Sequence, residues 1–181
     1  MSRVDRRVQK SQEAIKNAFI ELMSEKGFDH ITIQDISDRA NVGRRTVYDH
    51  YQDKFDLLDK LIGEHIAELK KLCESASELS FTEGNLLWFE YFERNSSFFS
   101  TMLGSKGALA FRNQFLTFVI EELERDVDVT TGKNQGLSKE LILKFFGAAI
   151  VEIVEAWFTN GLSEPTQVVA EQVGILLDRN L

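Results

Sequence analysis

Proline and cysteine are almost absent from this chain of 181 residues. Its one proline, Pro165, leaves long stretches in which helices can form, because proline disrupts helix interiors. Its one cysteine, Cys73, excludes an internal disulfide and fits a reducing cytoplasm. We interpret Cys73 as a small residue at the end of a helix.

Long apolar runs are also absent. No run reaches the roughly 18 apolar residues that a membrane-spanning helix needs, and the charged N-terminus has no signal-peptide core. The sequence therefore predicts a cytoplasmic protein without a membrane partner.

A net positive charge is missing as well, since the formal net charge is −8. Residues 1–54 nevertheless carry 10 Lys and Arg against 9 Asp and Glu, whereas residues 55–181 carry 11 against 20. A local basic face is enough to bind nucleic acid. This asymmetry places any such face near the N-terminus, and the acidic remainder of the chain would repel DNA and help to confine contact to that end.

Patterns of catalysis and metal binding are not found either. The sequence has no nucleophile elbow and no phosphate-binding loop, so we expect that the protein is not an enzyme. His30 and His65 have no partners at the spacing of metal ligands, so we expect no metal and no cofactor. His65 falls on an apolar helical stripe and is interpreted as a packed or partly exposed histidine.

Residues 32–51 have the pattern of a helix-turn-helix. Thr32 can cap the first helix, and a three-residue turn, Asn41 to Gly43, tolerates unusual backbone angles. Arg44 and Arg45 then open the second helix, where they can reach phosphates or guanine edges. This segment predicts binding to double-stranded DNA.

The remaining apolar residues recur at helical spacing, which predicts an all-α protein of about nine helices. An N-terminal three-helix bundle would contain the helix-turn-helix, and a C-terminal helical domain would follow it. The predicted helices cover residues 6–26, 32–40, 44–51, 53–73, 83–95, 97–103, 108–126, 138–160 and 165–179.

The order of features in residues 8–68 resembles the TetR/AcrR family of bacterial transcriptional regulators. The resemblance is carried by Ala18-Phe19, Gly27-Phe28, Thr32-Ile33-Gln34-Asp35-Ile36, Ala40-Asn41-Val42, Thr46-Val47-Tyr48-Asp49-His50-Tyr51, Asp53-Lys54 and Leu57-Leu58. Gly43, Val47 and Tyr51 stand where the family pattern has Ser, Leu and Phe, and Asp53-Lys54-Phe55 stands in place of Ser-Lys-Glu. Gly43 lacks a hydroxyl that could cap the second helix or touch a phosphate.

The resemblance and the periodicity together divide the chain into three parts. Residues 1–53 would form the DNA-binding bundle, within a family-type domain over about residues 8–68. Residues 54–74 would form a connecting helix, and residues 75–181 a ligand-sensing and dimerisation domain. The expected DNA-binding residues are Thr32, Gly43, Arg44, Arg45, Thr46, Tyr48, His50 and Lys54.

The resemblance further implies a homodimer, formed through the last two helices, on a palindromic operator. We expect the dimer interface to contain Val151, Val154, Phe158, Val169, Gln172 and Leu176. It also implies a C-terminal pocket for a small hydrophobic effector that releases DNA from a repressor. We expect the pocket to be lined by Trp88, Tyr91, Phe92, Phe99, Met102, Phe115, Phe145 and Glu152.

Two alternatives remain open from the sequence. Glu152 and Glu155 interrupt an apolar helix, so one of them could bind a ligand or face Lys144 or Arg112, or both could lie on a solvated edge. The protein could also be an activator, or a regulator that acts through a protein partner without a small-molecule ligand. A filled C-terminal core would favour the second alternative, and an apolar cavity would favour a ligand sensor.

Overall fold

The computed structural model describes residues 3–76, 78–104 and 108–181, with only the backbone of residues 3–5 and 108. Within these ranges the chain is α-helical and contains no strand, so the predicted all-α class is confirmed. Two short 3-10 segments, Phe28–His30 and Gly132–Asn134, lie between helices. The helices are α1 (Arg3–Lys26), α2 (Ile33–Arg39), α3 (Arg44–His50), α4 (Lys54–Ser75), α5 (Phe81–Arg94), α6 (Ser96–Leu103), α7 (Ala108–Leu123), α8 (Lys139–Thr159) and α9 (Thr166–Asn180).

Two helix ends differ from the predicted ones, and a capping interaction explains the first of them. α5 begins at Phe81 rather than at residue 83, because Ser80 accepts a hydrogen bond from the Glu83 backbone N–H while the Glu83 carboxylate accepts one from the Ser80 backbone. The prediction overlooked this Ser-x-x-Glu capping box. α7 ends at Leu123 rather than at residue 126.

The first three helices enclose a small apolar core. Ile15 and Phe19 of α1, Ile36 of α2 and Val47 of α3 have no exposed surface. The predicted cap at Thr32 is present, since its hydroxyl accepts a hydrogen bond from the Asp35 backbone N–H in a capping box. These contacts fix α2 and α3 on α1.

The turn between α2 and α3 takes its shape from one residue. Asn41 adopts a positive φ of 51°, in the left-handed region that Asn tolerates better than most residues. Gly43, by contrast, has φ −69° and ψ 146°, which any residue can adopt. Glycine is therefore not needed at residue 43 for the backbone, contrary to the sequence-based expectation. Gly27, which ends α1, does need its freedom, with φ 73°.

Helix α4 connects the N-terminal bundle to the rest of the molecule. It contributes Leu57 and Ile62 to the buried core, and Lys16 of α1 forms an ion pair with its Glu64. Farther along, His65 stacks on Phe98 of α6 with a centroid distance of 4.0 Å, and its Nδ1 lies 2.7 Å from the Tyr91 hydroxyl. Burial lowers the pKa of His65 to about 4, and nearby Glu64 opposes that shift. The interpretation of His65 as a packed or partly exposed histidine is confirmed.

The C-terminal helices pack around an aromatic core. Its fully buried rings include Phe92, Phe99, Phe111 and Phe115, with Phe92 and Phe99 in edge-to-face contact at 4.9 Å. Helices α5 and α9 form the closest pair outside this core, since Gly174 of α9 lies directly against α5. A cavity lies at the ends of α4 and α7 and the start of α5.

Candidate nucleic-acid interface and cavity

Helix α3 has an exposed basic edge, formed by Arg44 and Arg45, and a buried side that contains Val47. Val47 is fully buried and Tyr51 is 3% exposed, so α3 presents its other face outward. Arg44 and Arg45 at its first turn are exposed, and neither forms a salt bridge within the described part of the chain. Two unpaired guanidinium groups at the start of a helix can donate to phosphates or guanine edges.

Several other predicted DNA-binding residues lie around this edge. Tyr48 is 50% exposed and Thr46 is half-buried, while Thr32 at the start of α2 is exposed. Half-buried His50 places its Nε2 3.4 Å from the Ser11 hydroxyl of α1, and its ring contacts Tyr51 edge to face. The structure thus groups the turn, α3 and the start of α2 on one surface.

Lys54 is engaged differently from the sequence-based expectation. Its Nζ donates to the main-chain carbonyls of Phe28 and Asp29, both at 3.0 Å, and lies 4.8 Å from the centroid of the Phe28 ring. These contacts hold the ammonium against the protein at the first two residues of the 3-10 segment. Lys54 therefore ties the start of α4 to residues 28–30.

A cavity of about 760 Å³ opens between the ends of α4, α5 and α7. Helix α8 contributes Ile150 to its lining, and α9 contributes Leu177 and Asp178. Its lining residues are Cys73, Glu74, Ala76, Leu79, Ser80, Phe81, Gly84, Asn85, Trp88, Val119, Glu122, Leu123, Arg125, Asp126, Ile150, Leu177 and Asp178.

Of the predicted pocket residues, Trp88 lines this cavity and the others do not. Phe92, Phe99, Met102 and Phe115 are buried in the closed aromatic core, where their rings and thioether fill the space. The Tyr91 hydroxyl is engaged by His65. Aromatic side chains at helical spacing indicated the core of this domain rather than its cavity.

Two predicted pocket residues on α8 lie on the outside of the protomer. Phe145 is 70% exposed, and exposed Glu152 has its carboxylate 3.4 Å from a guanidinium nitrogen of Arg112. The same guanidinium forms an ion pair with Glu155. Of the alternatives left open for these carboxylates, the structure therefore shows the contact with Arg112.

The polar groups of the cavity centre on Glu122, which the sequence analysis did not single out. Its Oε2 lies 2.8 Å from Arg125 Nη1, whereas its Oε1 is buried and has no hydrogen-bond partner among the described residues. Nearby, the Trp88 indole N–H donates to Cys73 Sγ at 3.1 Å. Burial raises the pKa of the Cys73 thiol to about 12, and the negative charge of Glu122 is the second largest cause of this rise. The sequence offers little signal for Glu122, because it lies next to Glu121 in the charged last turn of α7.

The predicted dimer residues divide into two groups. Val151, Val154 and Phe158 are at most 4% exposed inside the protomer, so their prediction as interface residues is wrong. They face α8's own neighbours, because an all-round apolar helix does not reveal which side meets its own domain. Gln172 and Leu176 of α9 are exposed, and Val169 is half-buried.

Exposed apolar side chains mark a different surface of α8 and α9. Leu141 is 68% exposed and Phe145 is 70% exposed on α8, and Val168 and Leu176 are 37% and 52% exposed on α9. Residues 141 and 145 are four apart, and residues 168 and 176 are eight apart, so each pair lies on one side of its helix.

Metal-binding and membrane-spanning features are absent from the described part of the chain. Among the described residues, no group of three or more His, Cys, Asp or Glu side chains is arranged to hold a metal ion. None of the described helices combines the length and apolar character required to cross a membrane.

Comparison with known proteins agrees with the helix-turn-helix and the helical domain behind it. Residues 15–61 match the model of the bacterial regulatory proteins of the tetR family, and residues 80–179 match that of a transcriptional regulator C-terminal region. The chain belongs to the TetR family. The matched families and relatives are transcriptional regulators rather than enzymes.

Two curated relatives of this TetR-family chain match its sequence in part. The HTH-type transcriptional regulator YxbF of Bacillus subtilis (strain 168) is 38% identical over 84 residues, which are 44% of this chain and 22% of that protein. The dhaKLM operon activator DhaS of Lactococcus lactis is 27% identical over 89 residues, which are 49% of this chain and 46% of DhaS. The matches thus span less than half the length of either relative.

Solved structures extend the likeness over nearly the whole chain. A TetR transcriptional regulator from Streptococcus agalactiae 2603V is 27% identical with a TM-score of 0.68, and 96% of each chain is covered. The structure of DhaS has a TM-score of 0.67 at 22% identity and covers 94% of this chain and 96% of its own. These structures show that both parts of the TetR-family fold are present.

Proposed function

We propose that this TetR-family regulator is a homodimeric repressor that binds a palindromic DNA operator and releases it when a small molecule enters the cavity. The observation that carries the proposal is the pair Arg44 and Arg45, exposed and without salt bridges in the described residues, above the buried anchor Val47. Because bacterial DNA lies in the cytoplasm, we place its action there.

In the proposed complex, α3 enters the major groove with its first turn foremost. Arg44 and Arg45 read base edges or phosphates, and Thr46 approaches the same groove wall. Thr32, Tyr48, His50 and the backbone N–H of Gly43 contact phosphates and fix the register of the helix on the duplex. Lys54 would hold α4 in place beside these contacts, since its ammonium is bonded to Phe28 and Asp29.

The proposed dimer joins two copies through the exposed apolar residues of α8 and α9. Leu141, Phe145, Val168 and Leu176 carry this surface, together with Gln172 and half-buried Val169. Apolar side chains grouped on one surface favour association, and a two-fold arrangement presents two copies of α3 to two half-sites. Half-sites one helical turn apart require the two recognition helices to lie about 34–36 Å from each other.

Selection of bound fragments from a random duplex pool by the full-length protein tests the DNA-binding part. We expect an inverted repeat, and we expect Arg45→Ala to weaken its binding by about 1–3 kcal/mol and to relax the preference at one position of each half-site. Arg94→Ala is the matched control, because it removes the same charge from an exposed position of α5. Recovery of no common sequence by the wild type would refute the proposal.

The proposed response to a ligand is supported by the size of the cavity together with its partly apolar lining. A volume of about 760 Å³ falls within the range of about 300–1,000 Å³ typical of small-molecule sites, and much of the lining is apolar. A regulator that acts through a protein partner alone would not require such a cavity.

A second candidate is an activator, which the relative DhaS favours because it is named an activator of the dhaKLM operon. A reporter gene placed behind the selected operator distinguishes the two signs of regulation. A repressor lowers reporter expression when the regulator is supplied, whereas an activator raises it. The Arg45→Ala variant removes an exposed side chain, and it should reduce either effect.

A further inference from the structure

The buried carboxylate of Glu122 indicates the chemistry of the ligand that the cavity accepts. Its side chain is 11% exposed, and one oxygen, Oε2, already accepts from Arg125. The other oxygen, Oε1, is buried and has no hydrogen-bond partner within the described ranges. A buried acceptor without a donor is unfavourable, so a ligand that supplies a donor at this point gains affinity from it.

The charged residues around the cavity favour a ligand of one charge. Four carboxylates line it, and Arg125 is the single basic residue among the described lining residues. Arg125 is 55% exposed and is already paired with Glu122. A ligand anion would meet like charges, whereas a cation would meet opposite ones. The lining carboxylates are Glu74, Glu122, Asp126 and Asp178.

The rest of the lining is suited to an apolar body. Phe81, Trp88, Leu123 and Ile150 border the space, and aromatic rings also attract cations. Cys73 lies beside Trp88, and its thiol also interacts with the Glu122 carboxylate, but a thiol is a weak hydrogen-bond donor. A protonated amine is a stronger donor, so a cationic ligand can compete with the thiol for this carboxylate.

We propose that the effector of this cavity is an apolar molecule with a protonated amine whose N–H donates to Glu122 Oε1. The proposal rests on the ligand-responsive function given above and specifies its ligand class. Glu122 is the specificity-determining residue, and Trp88 with the neighbouring apolar residues holds the uncharged part of the molecule.

Three probes with one carbon skeleton test the class by titration calorimetry of the full chain: 4-phenylbutylamine, 4-phenylbutanol and 4-phenylbutyrate. At neutral pH they are a cation, a neutral alcohol and an anion. We expect the amine to bind more tightly than the alcohol by at least about tenfold, as a hydrogen bond to a charged group requires, and the anion to bind most weakly. Quenching of tryptophan emission in a Trp157→Phe background, in which Trp88 is the remaining tryptophan, gives an independent readout.

Two pairs of variants assign the binding to this cavity. Glu122→Gln should remove the preference for the amine, whereas Glu124→Gln, an equal charge change at an exposed residue outside the cavity, should leave it unchanged. Gly84→Leu should fill the cavity and abolish binding, because a Cβ at Gly84 meets no atom within 4 Å. Gly63→Leu is its control, since Gly63 is an equally open helical glycine away from the cavity.

Specific outcomes would overturn the proposal. Equal affinities for amine and anion, an unchanged preference in Glu122→Gln, or absence of binding of all three probes would each refute it. Operator binding by the ligand-free protein is measured in parallel. If the operator is bound but the amine is not preferred, the ligand class is wrong and the DNA-binding function stands; if no operator is bound, that function fails irrespective of the probes.

Discussion

Thr82 and Gly174 bring α5 and α9 into backbone contact. A Cβ at Gly174 would lie 2.3 Å from the Cα of Thr82 and 2.7 Å from its backbone nitrogen. The Thr82 hydroxyl also donates to the Asp178 carboxylate at 3.0 Å, one turn farther along α9. Because α5 lines the cavity and α9 contributes to the proposed dimer surface, this contact joins the two functional regions of the domain.

Gly174→Ala should therefore destabilise the protein. The added methyl group must displace the backbone of α5, which we expect to lower the free energy of unfolding by about 1–3 kcal/mol. Gly63→Ala, at an open helical position, should instead be neutral or stabilising by up to about 1 kcal/mol. Urea unfolding at one protein concentration compares the two variants. Equal stability of both would show that the two helices can separate without cost.

The half-buried imidazole of His65 should make the protein less stable in acid. Burial lowers its pKa from 6.5 to about 4, so the unfolded chain takes up a proton at a pH where the folded chain does not. The stability contributed by the neutral imidazole is therefore lost as the pH falls from about 6.5 towards 4. Between pH 7.5 and pH 5 the loss is about 2 kcal/mol.

His65→Gln removes this titration and serves as the comparison. We expect a smaller decrease in the free energy of unfolding between pH 7.5 and pH 5 in the variant than in the wild type. Urea unfolding at several pH values gives the difference. Parallel pH profiles for the two proteins would exclude His65 as the source.

Lys54 should affect the stability of the protein more than its affinity for DNA. Lys54→Ala removes two hydrogen bonds to main-chain carbonyls, and we expect it to lower the free energy of unfolding by about 1 kcal/mol or more. The slope of log affinity against log salt should stay as in the wild type. Lys70→Ala, at an exposed lysine of α4, is the control. A slope reduced by about one unit would instead identify Lys54 as a phosphate contact.

The proposed dimer surface is tested at its most exposed ring. Phe145→Arg places a charge where two copies would meet, so light scattering should show the mass of one chain instead of two. Leu109→Arg makes a comparable change at a leucine of α7 that is 66% exposed and lies outside this surface. It should leave the dimer intact. A wild type with the mass of a single chain of 20.7 kDa would refute the dimer itself.

The helix-turn-helix was predictable because its signals are local. The cap at Thr32, the left-handed Asn41 and the arginines after the turn lie within one short segment, and each acts on its immediate neighbours. The cavity was not predictable in this way. Its polar centre combines Cys73, Trp88 and Glu122 from three helices, and only their packing shows which residues face the space.

Helix α8 shows that the exposed side of an apolar helix was equally hard to predict from the sequence. Phe145 and Phe158 are both large apolar residues on one apolar helix, yet the first is 70% exposed and the second 4%. Periodicity cannot separate the side that packs on α7 from the side that faces outward when both sides are apolar. Gly147, whose Cβ would lie 3.0 Å from Ile120, marks the packed side. A single small residue in an apolar helix is thus informative once its neighbour is known.

The length of α4 converts small rotations into distances that matter on DNA. The helix has 22 residues and is therefore about 33 Å long, with the cavity at its Ser75 end and the DNA-binding bundle at its Lys54 end. A pivot of about 5° at the cavity moves the far end by about 3 Å. Neighbouring base pairs are about 3.4 Å apart along the duplex axis, so such a pivot displaces each recognition helix by nearly one step of the sequence that it reads.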